Sequence, residues 1–195
     1  MRQKAIVFGC SGQDGSYMSK FLLNKGYKVC GTSRSNKKSQ KRHLDLGIEG
    51  KFERKTIDIL KIDEVTELIE KEKPNEIYNF SAQSSVGESF NNPIETQQSI
   101  SLASINLLEA CKKTNFKGRI FFAGSSEIFG ETNVGARIDS EFKPCSPYAI
   151  AKVESMLLVK LYREKYQINA VTGVLFPHES ILRNERFVIR KIIDI

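Results

Sequence analysis

Three glycines, Gly9, Gly12 and Gly15, punctuate the start of the chain between a short apolar run and a run of helical period: KAIVFGCSGQDGSYMSKFLLNKGYKVCG, residues 4–31. AIVF predicts a short buried strand. The glycines permit a tight turn and let backbone approach a pyrophosphate closely. The helix that follows offers free N–H groups and the positive end of its dipole. Tyr17, Phe21 and Leu22 are expected to share one helical face, with Gly26 as the cap. KVCGTS predicts the second strand. An ordinary glycine-rich turn has similar composition, but not this placement between strand and helix.

The remainder alternates in the same way. KFERKTIDIL predicts a third strand with Asp58 at its end, and VTELIEKEKP a charged amphipathic helix that stops at Pro74. EIYNFSA predicts a fourth strand and PIETQQSISLASINLLEACKKT a long helix. GRIFFAGSS predicts a fifth strand that delivers Ser125 and Glu127 at its C-terminal end, where ligands bind in open parallel sheets. A helix with Tyr148 and Lys152 follows, then INAVTGVLF as a sixth strand. The expected fold class is α/β, a doubly wound parallel sheet. No repeat or low-complexity segment interrupts it. FVIRKIIDI reads as a helix cut off in mid-course, which suggests a fragment.

Tyr148 and Lys152 are four residues apart in SPYAIAK, so at helical spacing they project from one face. An ammonium close to a phenol is expected to favour the phenolate and make it a base nearer neutral pH. YxxxK pairs also occur as plain surface packing. Here, Ser125 and Glu127 add a hydroxyl and a carboxylate, which is a second base beside the phenol.

A formal net charge of +7, with the cluster RSNKKSQKRH at 34–43, admits a solvated loop, attraction of a polyanionic small molecule, or nucleic acid. No aromatic residues interleave with these charges as a stacking platform for single strands wants, so nucleic acid is not expected. No apolar run approaches the roughly 18 residues of a membrane span, and the N-terminal apolar stretch is too short for a signal peptide. A cytoplasmic protein is expected. The four cysteines, Cys10, Cys30, Cys111 and Cys145, lack metal-ligand spacing and read as reduced thiols packed like small apolar residues; no metal site is expected. The second strand ends Thr32-Ser33-Arg34-Ser35 with no carboxylate, which predicts NADP with Arg34 on its 2′-phosphate. A surface arginine would read the same.

GCSGQDGSYMSKFLLNKGYKVCG, YNFSAQSSVGESFNNP, SSEIFG, SPYAIAK and LFPHES…RFVIRKI together resemble the extended short-chain dehydrogenase/reductases of the nucleotide-sugar branch, and within it the GDP-mannose 4,6-dehydratase family. The resemblance covers nearly the whole chain. It implies a Rossmann domain over residues 1–176, with 177–195 opening a smaller C-terminal substrate domain that is largely absent. It implies that NADP stays bound and is regenerated. By the same resemblance, Tyr148 is expected to deprotonate the sugar C4 hydroxyl as hydride leaves C4, Lys152 to hold the ribose, and Ser125 to bond the C4 oxygen. Glu127 is expected to remove the C5 proton and help to eliminate the C6 hydroxyl, with the hydride returning to C6. Cofactor contacts carried over are Gly9, Gly12, Gln13, Asp14, Gly15, Arg34, Asp58, Ile59, Phe80, Ser81, Ala82, Ser84, Tyr148, Lys152, His178 and Arg183. Without the resemblance, His178 would read as a packed histidine. A GDP-sugar substrate is implied. So is a homo-oligomer, dimer or tetramer, because the basic loop after Arg34 resembles a segment that reaches a neighbouring subunit.

The chain departs from the family pattern at Pro177, where asparagine is usual and proline offers no backbone N–H. Other departures are Ser85 for histidine, Glu95 for a tyrosine near the cofactor, and Ile181-Leu182 for Pro-Arg. Ser125 stands where threonine is common. These leave the sugar open. They also keep alternatives in view: an NADPH-dependent 4-keto reductase, a 4-epimerase of a nucleotide sugar, or an NADP-binding protein without catalysis.

Overall fold

The computed structural model describes residues 2–34, 40–133, 135–185 and 187–193. Six strands form one parallel sheet in the order β3-β2-β1-β4-β5-β6. They are β1 (Lys4–Phe8), β2 (Lys28–Ser33), β3 (Glu53–Thr56), β4 (Glu76–Asn79), β5 (Arg119–Ala123) and β6 (Ala170–Gly173). The order reverses between β1 and β4, and that switch point opens a crevice at the strands' C-terminal ends.

The period of two along β1 divides the core. Ile6 and Phe8 join Ile77, Leu107, Leu108, Ile120 and Phe122 on one face of the sheet. Ala5 and Val7 face the other way, with Cys10, Leu22 and Val29. Both faces of this central strand are therefore covered by other elements, as parallel sheets require.

The first helix, α1 (Gln13–Asn24), follows the glycine turn, and Gly26 closes its C-terminal end with φ 81°. Its buried face differs from the expected one. Gly15, Ser16, Ser19 and Leu22 are buried, while Tyr17 is 37% and Phe21 54% exposed. Small residues win this face because the helix lies against the turn itself: Ser16 Oγ donates to Cys10 O, and a Cβ on Gly15 would fall 2.8 Å from Gly9 C.

A short α2 (Gln40–Asp45) arises within the basic cluster. α3 (Ile62–Glu72) buries Val65, Leu68 and Ile69 and ends at Lys73 in the left-handed region, one residue before Pro74. The segment after β4 carries α4 (Val86–Asn91), which the sequence reading did not separate. The expected long helix runs as α5 (Pro93–Gln97), one π turn (Gln98–Leu102) and α6 (Ala103–Lys113). α7 (Pro147–Tyr166) starts on Ser146, whose Oγ accepts from Ala149 N at 3.0 Å, with Pro147 in the first turn. α8 (Val188–Ile193) takes up the described part of FVIRKIIDI. Residues 35–39 of the basic loop, and with them its suggested reach to a neighbouring subunit, lie outside the described residues.

The predicted strands run longer than the observed ones at β3, β4, β5 and β6. Apolar sequence continues past the point where neighbouring strands still pair, and the excess becomes the loops above the sheet. Among the described residues no helix is long and apolar enough to cross a membrane, and no group of three metal-ligating side chains forms. Cys10, Cys30 and Cys111 are buried as expected; Cys145 is exposed. Burial raises the Cys10 thiol to about 11 and Cys30 to about 12.

Candidate active site

Two cavities lie along the crevice and meet at the loop after β4. Phe80, Ser81 and Ala82 line both. The smaller, about 170 Å³, is lined by Gly9, Ser11, Gly12, Thr32, Arg34, Asp58, Ile59 and Ser99 among others. The larger, about 430 Å³, takes in Asp14, Ser84, Ser125, Glu127, Tyr148, Lys152, His178 and Arg183. The predicted cofactor residues thus lie along one trough, except Gln13 and Gly15, which line neither cavity.

The trough over the glycine turn fits a dinucleotide. Gly9 has φ 76°, and a Cβ there would fall 2.7 Å from Phe80 C and O. Backbone therefore packs on backbone at the floor, and α1 starts directly above it. Asp58 shapes the far wall: its Oδ1 accepts from Leu60 N at 3.1 Å, and its N–H donates to Glu64 Oε2 at 3.0 Å.

Ser125 and Glu127 reach the larger cavity from the turn after β5. Ser125 Oγ accepts from Glu127 N at 3.3 Å and caps a single 3₁₀ turn, Ser126–Phe129. Tyr148 and Lys152 come from the first two turns of α7, and both are buried. Lys152 Nζ donates to Ala123 O at 2.7 Å and lies 5.6 Å from the Tyr148 ring centroid. Ser104 and Ser155 share a hydrogen bond of 2.7 Å beneath them, at the end of the π turn. π turns frequently mark functional sites, and this one supplies Ile100 and Ser99 to the two cavities.

The electrostatics correct one expectation. Tyr148 is raised, not lowered. Burial is the main cause; the Ser125 hydroxyl and Arg183 pull it down, while Glu127 and Asp14 push it up. The desolvation of the phenol outweighs its neighbours, and the lysine is perturbed by the same burial. Burial lowers Lys152 to about 8, only partly offset by the Asp14 carboxylate. A helical spacing fixes a shared face but not whether that face is wet.

The segment after β6 docks on the start of α1. His178 Nε2 is 2.8 Å from Asp14 Oδ1, and its Nδ1 is 2.7 Å from Phe176 O. These two partners raise His178, the backbone carbonyl most. Ser180 Oγ donates to Gln13 Oε1 at 2.8 Å. The QD pair of the opening motif and the HES segment therefore form one contact. Arg183 lies against the Phe187 ring, 3.6 Å from its centroid.

Sequence reasoning missed two supports of the glycine turn. Arg42 donates to Ser11 O at 2.9 Å and to Leu182 O at 3.1 Å. His43 is fully buried, with Nε2 2.9 Å from Cys10 O. Both fall in the basic cluster, for which the sequence admits a solvated loop, attraction of a polyanion or nucleic acid. The signal that sets them apart is a Leu44…Leu46…Ile48 run just beyond, of which Leu46 and Ile48 are buried with Leu182.

Comparison with known proteins bears on the family and the fold. A family described as GDP-mannose 4,6 dehydratase matches residues 6–195. GDP-mannose 4,6-dehydratase from Vibrio cholerae is 36% identical over 98% of this chain and 54% of its own length. GDP-mannose 4,6 dehydratase 2 from Arabidopsis thaliana is 39% identical, again over 98% and 54%. The chain therefore spans about half the length of these curated relatives. Among solved structures, a dTDP-glucose 4,6-dehydratase from Streptomyces venezuelae, bound to NAD, superposes with TM-score 0.89 at 18% identity, covering 98% of this chain and 61% of that one. A UDP-N-acetylglucosamine 4-epimerase from Methanobrevibacter ruminantium gives TM-score 0.88 at 25% identity, covering 100% and 63%. The glycine turn, the strand order and a family match over nearly its whole length together establish that this chain belongs to the GDP-mannose 4,6-dehydratase family.

Proposed function

We propose that this protein carries out 4,6-dehydration of a nucleotide sugar, GDP-mannose or a related GDP-sugar, to the 4-keto-6-deoxy product. The observation that carries the reading is that Ser125, Glu127, Tyr148 and Lys152 line a single cavity beside the glycine-turn trough. Removing the hydroxyl proton at C4 and the carbon-bound proton at C5 needs two bases, and a simple dehydrogenase needs only the tyrosine. When bound, NADP supplies reversible hydride exchange with the sugar. Tyr148 takes the C4 hydroxyl proton; Ser125 bonds both the phenol and the C4 oxygen. Lys152, fixed by Ala123 O, holds the ribose. Glu127 takes the C5 proton made acidic by the 4-ketone and delivers a proton to the departing C6 hydroxyl, which leaves as water. Arg34 faces the 2′-phosphate. Residues 177–195 begin the substrate-binding region.

The wider setting we propose is a cytoplasmic homo-oligomer. Three buried, unbridged cysteines fit a reducing compartment. Exposed Phe90, Ile94, Leu102, Ile150, Leu157 and Leu161 on α4–α7 supply an apolar surface for a second copy.

The test is incubation of the protein with GDP-mannose and catalytic NADP. A 4-keto-6-deoxy sugar without net NADPH is the expected result. Stoichiometric NADPH consumption with a keto-sugar supports the reductase alternative instead. Glu127→Gln should abolish C5 proton exchange; unchanged turnover refutes the role given to that carboxylate.

A further inference from the structure

Among the described residues lining the smaller cavity, Arg34 is the one cation, and it does not stand alone. Its Nη1 lies 3.8 Å from Glu95 Oε1, across the crevice from the end of β2 to the first turn of α5. Both side chains are more than half exposed, 65% and 59%. Glu95 is one helical turn before Ser99, which lines the same cavity, so its carboxylate faces the cavity rim. Asp58 lines the same cavity. A group bound against Arg34 at this rim lies within several ångströms of the Glu95 carboxylate.

We propose that Glu95 is a specificity-determining residue for the dinucleotide. It occupies Arg34 and places a negative charge beside the 2′ position, so it weakens the preference for a 2′-phosphate and lets the site accept NAD as well as NADP. This rests on the reading that the trough takes a dinucleotide. A 2′-phosphate carries nearly two negative charges, so like-charge repulsion over several ångströms acts on NADP and spares NAD. Exposure and salt keep the effect modest, about three- to tenfold in affinity.

The experiment is calorimetric titration of the protein and its Glu95→Gln and Arg34→Gln variants with NADP and with NAD, at ~50 mM and ~500 mM salt. Glu95→Gln should tighten NADP about three- to tenfold at low salt, change NAD less than twofold, and lose this advantage at high salt. Arg34→Gln should weaken NADP and leave NAD nearly unchanged. If Glu95→Gln shifts both dinucleotides alike, or neither, while both still bind, the inference is overturned and the cofactor reading stands. Failure of the parent protein to bind either dinucleotide overturns the cofactor reading and this inference with it.

Discussion

Replacing Lys152 by methionine should separate what this side chain does for the reaction from what it costs the fold. Methionine keeps the unbranched length and apolar stem of lysine, so the cavity stays filled. In the folded chain burial lowers the Lys152 ammonium to about 8 from an ordinary 10.5. Below pH 8 both folded and unfolded states hold the proton, and the burial penalty is fully present. That difference corresponds to about 3 kcal/mol. Between pH 8 and 10.5 the unfolded chain binds the proton and the folded one does not, so stability rises with pH by about 1.4 kcal/mol per unit. Against the relief gained by Lys152→Met stands the lost charge-assisted hydrogen bond to the part-buried Ala123 O, at a cost of about 1–3 kcal/mol. The variant should therefore match or exceed the parent at pH 7, by up to about 2 kcal/mol, while losing turnover. Urea unfolding of both proteins from pH 7 to 10 measures this. The variant's relative stability should fall by about 2–3 kcal/mol across that range. A difference that stays flat with pH means that folding does not lower the ammonium's affinity for its proton, and the argument for a desolvated charge at the site fails.

Gly15→Ala should cost more than about 2 kcal/mol and abolish dinucleotide binding, because its Cβ has backbone within 3 Å and no flexible side chain to yield; chemical denaturation and dinucleotide titration check it. Tyr148→Phe should leave dinucleotide affinity within about threefold and remove turnover. The parent's rate should climb on the alkaline side of neutrality, since burial raises the phenol. The His178–Asp14 contact carries a proton-linked stabilisation of definite sign. His178 is raised in the fold, so its contribution is complete below about pH 6.5 and is lost as pH rises through its higher folded value. A melting-temperature difference between parent and Asp14→Asn that is largest near pH 6 and shrinks toward pH 8 is the expected result; a pH-independent difference refutes it.

The architecture was legible in the sequence wherever one residue's neighbours along the chain set its environment. AIVF, the Gly9–Gly15 spacing and the strand–helix alternation specify a parallel sheet because period and turn chemistry are local properties. The SSE and YAIAK segments mark the ends of a strand and a helix, and both ends face the crevice. Three other features depend on distances between remote segments, which no spacing encodes. The small-residue face of α1 was hidden because Gly15 and Ser16 pack on a turn that contributes no apolar signal. Arg42 and His43 read only as members of a basic cluster until the fold brought Ser11, Cys10 and Leu182 to them. The protonation of the Tyr148–Lys152 pair was decided last. Proximity in sequence supplies an ammonium beside a phenol, but the sheet and α7 close over both. Burial then raises the one and lowers the other, because a desolvated charge costs more than a neighbouring one returns.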